Sequence, residues 1–310
     1  MEFKIKPLVK GTLSFAVPPL RTTHHGATFG TGSSAFCYSV FLRHFSYISQ
    51  FTNGKVPRVV AEFGPGSSIG MGLAALIAGA ELYYGLDIED HTDSARNLLI
   101  FDDLVDLFRR RAPVPSHGLH ETTFPPPLKW EFPERLEKSL DSLLDRERIG
   151  SLRDDLSRRS GKFIRIAVPW TAADIVPAHS IDWLFSHSVM EHVDDFVGAY
   201  RCFARWLKSH SVMTHNIDYR SHEMTRHWNG HWALSDLTWT LMRGQRPYLL
   251  NRVPHSGHVN LIKYHKFSIE KELHHLPEGG LPKDKLAAAP RHITGADSVI
   301  GMAFVVCRSN

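Results

Sequence analysis

The sequence has few cysteines and no long apolar run. Its 310 residues include three cysteines, Cys37, Cys202 and Cys307, which are scattered without any paired spacing. This argues against a disulfide framework and indicates a reducing compartment. No apolar run approaches the roughly 18 residues that a membrane span requires. No charged segment followed by an apolar one begins the chain, so we predict no signal peptide, a cytoplasmic location and no membrane partner.

A strong excess of charge is also lacking. Lysine and arginine number 36 and the acids 32, so the formal net charge is only +4. This value is too small to predict a nucleic-acid partner. The arginines between Arg146 and Arg159 alternate with acids, which is typical of a solvated helix face. Histidine is abundant by contrast, with 20 residues, and a 43% hydrophobic fraction is enough for a buried core.

Residues 59–88 have the pattern of a strand, a glycine turn, a helix and a second strand. The apolar run 59–61 is followed by Glu62 and by the turn Gly64-Pro65-Gly66, and the second run, 82–86, ends at Asp87. Glycine lets a ligand approach the backbone where a Cβ would block it. An acid after the second strand can bind both hydroxyls of a ribose. The pattern therefore predicts a cofactor that contains a nucleoside.

Strands and helices continue to alternate along the chain. Five further strand-like segments follow, at 163–168, 181–185, 211–217, 267–269 and 298–306. The alternation predicts an α/β fold with a doubly wound, mainly parallel, seven-stranded Rossmann-like sheet. Ligands of such sheets bind beyond the carboxyl ends of the strands, where the strand order reverses.

We expect a single domain over residues 1–310, with additions to a cofactor-binding core. The expected parts are an N-terminal helical cap (1–56), the core (57–217), an aromatic and histidine-rich insertion that forms a substrate lid (218–255), and C-terminal strands (256–310). Two interpretations of the cap are open: it covers the mouth of the site, or its helix only packs on the sheet.

Two cofactors are compatible with the glycine turn. Gly64-x-Gly66-x-x-x-Gly70 could be a dinucleotide fingerprint, but such a pattern alone is weak, and the chain has no Tyr-x-x-x-Lys pair. Glu62, two residues before Gly64, can receive a cationic amino group. S-adenosylmethionine has such a group and NAD does not, so the position of Glu62 favours S-adenosylmethionine.

On these residues the chain resembles the class I S-adenosylmethionine-dependent methyltransferases, in particular their small-molecule, type 11-like branch. The resemblance covers about residues 59–217 and includes acid-x-Gly-x-Gly at 62–66, the ribose acid Asp87 and the fourth-strand segment 180–195. Residues 214–222 and 248–252 are similar to a bacterial subgroup that modifies sugars, antigens or natural products. The resemblance implies methyl transfer to an oxygen, nitrogen or carbon of a small molecule. An RNA or protein methyltransferase and a non-catalytic cofactor-binding module are the alternatives, and the oligomeric state is left open.

The resemblance also implies which residues contact the cofactor. In the family, an acid after the third strand binds the adenine amine, but Trp170 or Thr171 occupies that position here. Backbone groups at Thr171 and Ala172 would then take its place, with Trp170 either stacked on adenine or packed in the core; Asp174 is the less favoured substitute. The expected cofactor-binding residues are Glu62, Gly64, Pro65, Gly66, Asp87, Ile88, Trp170, Thr171, Ala172 and His187.

Histidines near the strand ends are the candidates for a catalytic base. Methyl transfer requires an aligned acceptor, and an oxygen or a protonated amine also benefits from a base within hydrogen-bond reach. His187 follows the fourth strand and His215 lies in the fifth, so we expect both at the edge of the sheet. His187 could instead contact the cofactor. His192 is either a substrate contact or a residue that fixes its helix.

The insertion supplies the remaining candidates. Tyr219, Trp228 and Trp232 predict contacts with a planar or apolar substrate, although tryptophans at such spacings often only pack. His227 and His231 are four residues apart and would share one face of a helix, where they could bind a metal. Because no carboxylate has a recognised spacing to them, we predict no metal site.

Overall fold

Seven strands form one sheet in the computed structural model of the chain, which describes residues 2–21, 31–115, 123–172, 174–286 and 293–310. The order is β3-β2-β1-β4-β5-β7-β6; β1 to β5 run parallel, and β7 is antiparallel to β5 and β6. The strands are β1 (Val59–Phe63), β2 (Leu82–Leu86), β3 (Ile164–Ala167), β4 (Ile181–His187), β5 (Leu207–Asp218), β6 (Phe267–His275) and β7 (Met302–Ser309). The predicted mainly parallel, seven-stranded α/β fold is confirmed.

Helices cover both faces of the sheet. They are α1 (Ile5–Leu13), α2 (Ser34–Ile48), α3 (Gly70–Ile77), α4 (Ser94–Arg109), α5 (Glu134–Leu143), α6 (Arg146–Arg158), α7 (Phe196–Trp206), α8 (Asp236–Arg243), α9 (His255–Tyr264) and α10 (Lys283–Leu286). One apolar core lies between the sheet and α2, α3 and α4, and a second lies under α7 and α9. In the described parts of the chain, no helix is long and apolar enough to cross a membrane.

The strand order reverses between β1 and β4. From β1 the chain proceeds outward to β2 and β3, whereas β4 and β5 lie on the other side. Glu62 of β1 is aligned with Phe185 of β4, so the carboxyl ends of these two strands flank one crevice. Because both faces are covered, β1, β2 and β4 are almost continuous apolar runs. Glu62 stands out in β1 as a carboxyl group with no exposed surface.

The two helices of the predicted N-terminal cap pack in different places, α2 on the sheet and α1 against α8. Helix α2 begins after Ser33, whose hydroxyl accepts from the Phe36 N–H, and its Phe41 ring lies 6.1 Å from that of Trp183. Most residues of α2 are buried, which favours a helix that packs on the sheet. Helix α1 instead packs against α8 of the insertion, and the Lys4 N–H donates to the Met224 carbonyl. Residues 22–30 lie outside the described residues.

Candidate cofactor and substrate site

The glycine turn after β1 is open to a ligand on one side. Gly64 and Gly66 have φ values of 77° and 68°, the left-handed region that glycine adopts without strain. A Cβ at Gly64 would collide with the Val189 side chain, whereas a Cβ at Gly66 would meet nothing within 4 Å. The turn therefore packs tightly on the segment after β4 at Gly64 and leaves space at Gly66. Pro65 lies between the two glycines.

Asp87 faces this turn from the end of β2. Its Oδ2 accepts from the Gly66 N–H at 3.2 Å, and its Oδ1 accepts from the Ile88 N–H at 2.7 Å. Burial raises the pKa of Asp87, and the two N–H donors oppose that shift. The structure thus brings together the glycine turn and the predicted ribose acid, which are 21 residues apart in the chain.

Glu62 lies behind the turn as a buried carboxyl group with one unsatisfied oxygen. Its Oε2 accepts from the Tyr83 hydroxyl at 2.7 Å, and its Oε1 has no hydrogen-bond partner among the described residues. The Gly72 N–H is close enough to favour the charged form but does not form a hydrogen bond with Oε1. Burial raises the pKa of Glu62 to about 8, and Tyr83 and Gly72 oppose the shift. The group is therefore mostly neutral at pH 7.

Of the three candidate residues after β3, Trp170 is buried and the two that follow it are exposed. The Trp170 N–H donates to the Asp87 carbonyl at 2.8 Å, and its ring packs edge-on against Phe63 at 5.2 Å. Trp170 is buried, which favours the core interpretation of its ring. Thr171 and Ala172 are exposed. The half-buried Ile88 packs against the same apolar core as Trp170.

His187 ends β4 and is connected to the core by a series of hydrogen bonds. The Trp183 Nε1–H donates to Thr214 Oγ1 at 3.1 Å, and that oxygen lies 2.9 Å from His44 Nδ1. His44 Nε2 lies 3.2 Å from His187 Nδ1. Every partner is satisfied if Thr214 donates to His44 and His44 donates to His187. That arrangement leaves the proton of His187 on Nε2.

His187 is also neutral at ordinary pH. Burial lowers its pKa to about 3, and the nearby Arg43 guanidinium adds to the shift. The pKa of His44 is lowered well below its usual value, by burial and then by His187 and His215. With its proton on Nε2, the neutral His187 can donate a hydrogen bond through that atom. In the opposite arrangement, in which His187 donates to His44 and His44 donates to Thr214, Nε2 carries a lone pair and can accept.

His215 lies inside the core and not at the crevice. Its side chain has 0% exposure, its Nδ1 lies 2.7 Å from Ser186 Oγ, and its ring stacks on Phe203 at 5.4 Å. Burial lowers its pKa to about 3. Side chains alternate along a strand, so Thr214 faces α2 while His215 faces the helices on the other side. This position corrects our expectation of a base at the edge of the sheet.

A group of ionisable residues, which we call the Glu191 cluster, lies where the chain leaves β4 and β5. It consists of Glu191, His192, Asp218, Arg220 and His222. Asp218 accepts from Arg220 Nε at 2.8 Å and lies 3.4 Å from His222 Nε2. Burial alone would raise the pKa of Asp218, but Arg220 and His222 hold it below its ordinary value. Burial and the neighbouring Asp218 raise the pKa of Glu191 well above its ordinary value.

The aromatic residues of the insertion mainly pack. Tyr219 is buried, with its hydroxyl 3.1 Å from His255 Nδ1, and Trp232 is buried, with its Nε1–H donating to the Arg252 carbonyl. Trp228 is half-buried and lies edge-on to Trp232 at 6.2 Å. These positions favour packing over direct substrate contact for Tyr219 and Trp232.

The two histidines considered as a metal pair do not share a helix face. His227 lies in the loop before the 3-10 turn Gly230–Ala233, and its Nδ1 is 2.9 Å from Glu2 Oε1. His231 is buried within that turn. The condition for a shared face, a helix through both residues, is not met, because tertiary packing and not helical periodicity sets the local backbone here.

The sequence did not indicate three residues of the site: Tyr83, His44 and Glu191. Tyr83 and His44 act through contacts with residues distant in the chain, at separations of 21 and 143 residues. Glu191 belongs to the fourth-strand segment quoted above, but only its burial distinguishes it from an ordinary surface acid.

Comparison with known proteins finds only distant structural matches. No family model and no curated protein matches the chain. A geranyl diphosphate C-methyltransferase from Streptomyces coelicolor A3(2) is 9% identical, over 86% of this chain and 78% of that one, with a TM-score of 0.44. An S-adenosylmethionine-dependent methyltransferase from Methanosarcina mazei is 12% identical, over 82% and 93%, with a TM-score of 0.41. Another from Mesorhizobium loti is 13% identical, over 82% and 91%, with a TM-score of 0.37.

These neighbours are S-adenosylmethionine-dependent methyltransferases, the class of enzyme that the motifs of this chain predict. At such low identity and TM-score, the case for a cofactor and a reaction depends on the residues of the chain itself.

Proposed function

We propose that this chain transfers a methyl group from S-adenosylmethionine to a small molecule. The observation that carries the proposal is the meeting of Asp87 and Gly66 at the crevice, with the unsatisfied Glu62 oxygen behind the same turn. The resemblance of residues 214–222 to a sugar- and natural-product-modifying subgroup favours an acceptor from those classes.

The residues fit the cofactor in both charge and shape. The Asp87 carboxylate would exchange the Gly66 N–H for ribose hydroxyls, and the open space at Gly66 admits the rest of the molecule. A cationic amino group would supply the partner that Glu62 Oε1 lacks, since an opposite charge nearby favours the carboxylate. NAD has no such amino group, so Glu62 would stay buried and incompletely paired with that cofactor.

The cofactor supplies an already activated methyl group on a sulfonium, so the main task of the chain is to align the acceptor and exclude water. Val189, which packs on Gly64, closes the crevice on the β4 side. His187, at the end of β4, would contact a ligand through Nε2 and is the remaining candidate for a base, because His215 is enclosed in the core.

The macromolecular alternatives gain no support from the basic helix α6. Arg153 pairs with Asp102 and Arg159 with Asp90, while Arg148 donates to backbone carbonyls that include Leu143. These arginines therefore already have partners within the chain. A small-molecule acceptor therefore remains the better candidate.

The experiment is calorimetric titration of the purified chain with S-adenosylmethionine, followed by transfer of an isotopically labelled methyl group to a panel of sugars and natural products. Asp87→Ala removes hydrogen bonds to a charged group worth about 1.5–3 kcal/mol each, so cofactor affinity should fall at least about tenfold. Glu89→Ala is the matched control. Glu89 carries the same charge as Asp87 and lies two residues after it, but its side chain is 76% exposed.

Absence of any binding to the wild-type chain would refute the proposal. Equal losses in both variants would show that Asp87 is not a cofactor contact. Tight binding with no transfer to any acceptor would favour the non-catalytic module. Labelling of RNA or protein, but of no small molecule, would favour a macromolecular methyltransferase.

A further inference from the structure

The carboxyl group of Glu191 is buried without a hydrogen-bond partner. The residue is 2% exposed, and neither Oε1 nor Oε2 has a partner among the described residues. The N–H groups of Glu191 and Asp218 are near enough to favour the charged form of the carboxyl group but do not form hydrogen bonds with it. Buried polar groups are nearly always satisfied in native proteins. Two unsatisfied oxygens on one buried carboxyl therefore indicate that a ligand completes the site.

Two imidazoles converge on this carboxyl group. One ligand atom each from Glu191, His192 and His222 lies within 4.8 Å of the other two. His192 Nδ1 lies 2.7 Å from the Leu249 carbonyl, which can only accept, so the neutral ring has its lone pair on Nε2. A backbone carbonyl that holds the other nitrogen is the usual arrangement around a metal-binding histidine.

Asp218 orients the His222 side chain. Its Oδ2 lies 3.4 Å from His222 Nε2, and the same carboxylate is held by Arg220. The rings of His192 and His222 meet edge to face at 5.2 Å. The side chain of His222 is 34% exposed, so the group can be reached from solvent.

The location connects this group to the crevice. Val189, two residues before Glu191, packs directly on Gly64 of the glycine turn. The backbone carbonyl of Glu191 accepts from the Asn251 N–H, and the Asn251 side chain donates to the Met190 carbonyl at 2.7 Å. The segment is therefore held firmly beside the glycine turn.

We propose that Glu191, His192 and His222 bind a divalent transition-metal ion of the Zn²⁺ class, with open positions for oxygen atoms of the methyl acceptor. Two imidazoles and one carboxylate suit such borderline ions better than Mg²⁺ or Ca²⁺, which prefer oxygen ligands alone. Three protein ligands leave room for an exogenous one. The role toward the acceptor rests on the proposed function, but metal binding itself does not.

A second group of three, His255, Glu272 and His274, has the same composition but is a weaker candidate. Its members already pair with one another, since Glu272 Oε1 lies 3.0 Å from His255 Nε2 and 2.6 Å from His274 Nε2. No atom of this group is an unsatisfied buried oxygen among the described residues. It therefore provides a control of matched chemistry.

The test is titration of the chelator-treated chain with Co²⁺ and with Zn²⁺, followed by calorimetry and, for Co²⁺, by visible absorption. We expect one ion per chain, with affinity at least about tenfold weaker in His222→Ala and in Glu191→Gln. His274→Ala should bind like the wild type. Circular dichroism of the metal-free variants checks folding, and the partly exposed His222 keeps the test valid if Glu191→Gln does not fold.

The outcomes separate this inference from the proposed function. It is overturned if the wild-type chain binds neither ion, or if His274→Ala loses the ion while His222→Ala retains it. Binding of S-adenosylmethionine by a chain that binds no metal would overturn this inference alone. Metal binding without cofactor binding would refute the proposed function and leave the metal site standing.

Discussion

Binding of S-adenosylmethionine should release a proton from Glu62. In the free chain the carboxyl group is buried, accepts one hydrogen bond from Tyr83 and has a pKa raised to about 8, chiefly by burial. A cationic amino group placed beside its unsatisfied oxygen would favour the charged form. The pKa of Glu62 is then lower in the complex, so binding expels the proton.

The size of the effect follows from this pKa. At pH 7 a carboxyl group with a pKa near 8 is protonated in roughly nine of ten molecules, so up to about 0.9 proton is released per cofactor bound. Because release accompanies binding, affinity rises with pH, by up to about tenfold per unit below pH 8. Above pH 8 the group is already charged and the dependence from Glu62 disappears.

Calorimetric titrations at pH 7 in buffers of different ionisation enthalpy measure this number of protons directly. Glu62→Gln is the control, because glutamine keeps an acceptor for Tyr83 but does not titrate, and it also cancels the contribution from the cofactor's own amino group. Equal proton release in the variant and the wild type would refute the assignment of Glu62. So would a wild-type value near zero together with tight binding.

Two further predictions concern the scaffold. Gly64→Ala should destabilise the chain by about 2 kcal/mol more than Gly279→Ala, since both have φ above 70° but only Gly64 would meet a neighbouring side chain; urea unfolding of both variants decides it, and equal losses would contradict the prediction. The pKa of His258 is lowered to about 3 by burial, with His215 and His255 adding to the shift, so its neutral form contributes stability that is lost as the pH falls from 6.5 toward 3. In the wild type, this effect lowers the free energy of unfolding by about 1.4 kcal/mol per pH unit, and His258→Gln should remove that dependence. The prediction is refuted if the free energy of unfolding falls equally steeply in variant and wild type between pH 6.5 and 4.5.

Local patterns in the sequence were sufficient for the fold and for the cofactor motif. Apolar runs of strand length, separated by helical segments, predicted the seven strands. The signal is clearest for the central strands, such as β1 and β4, because helices bury both of their faces. The turn at Gly64 and Gly66 was visible because positive φ values strongly favour glycine. The position of Asp87 followed from the end of an apolar run.

Tertiary structure decided which side chains meet. Alternation along β5 predicts that Thr214 and His215 face opposite ways, but both faces are buried, so the pattern could not show which residue faces the crevice. The relay from Thr214 to His187 and the grouping of Glu191 with His222 depend on packing between segments far apart in the chain. The sequence by itself therefore determined the elements and the glycine turn, because these depend on local backbone preference and burial. The protonation of Glu62 and the convergence of carboxylate and imidazole groups were decided by long-range packing, which a single sequence does not encode in any local pattern.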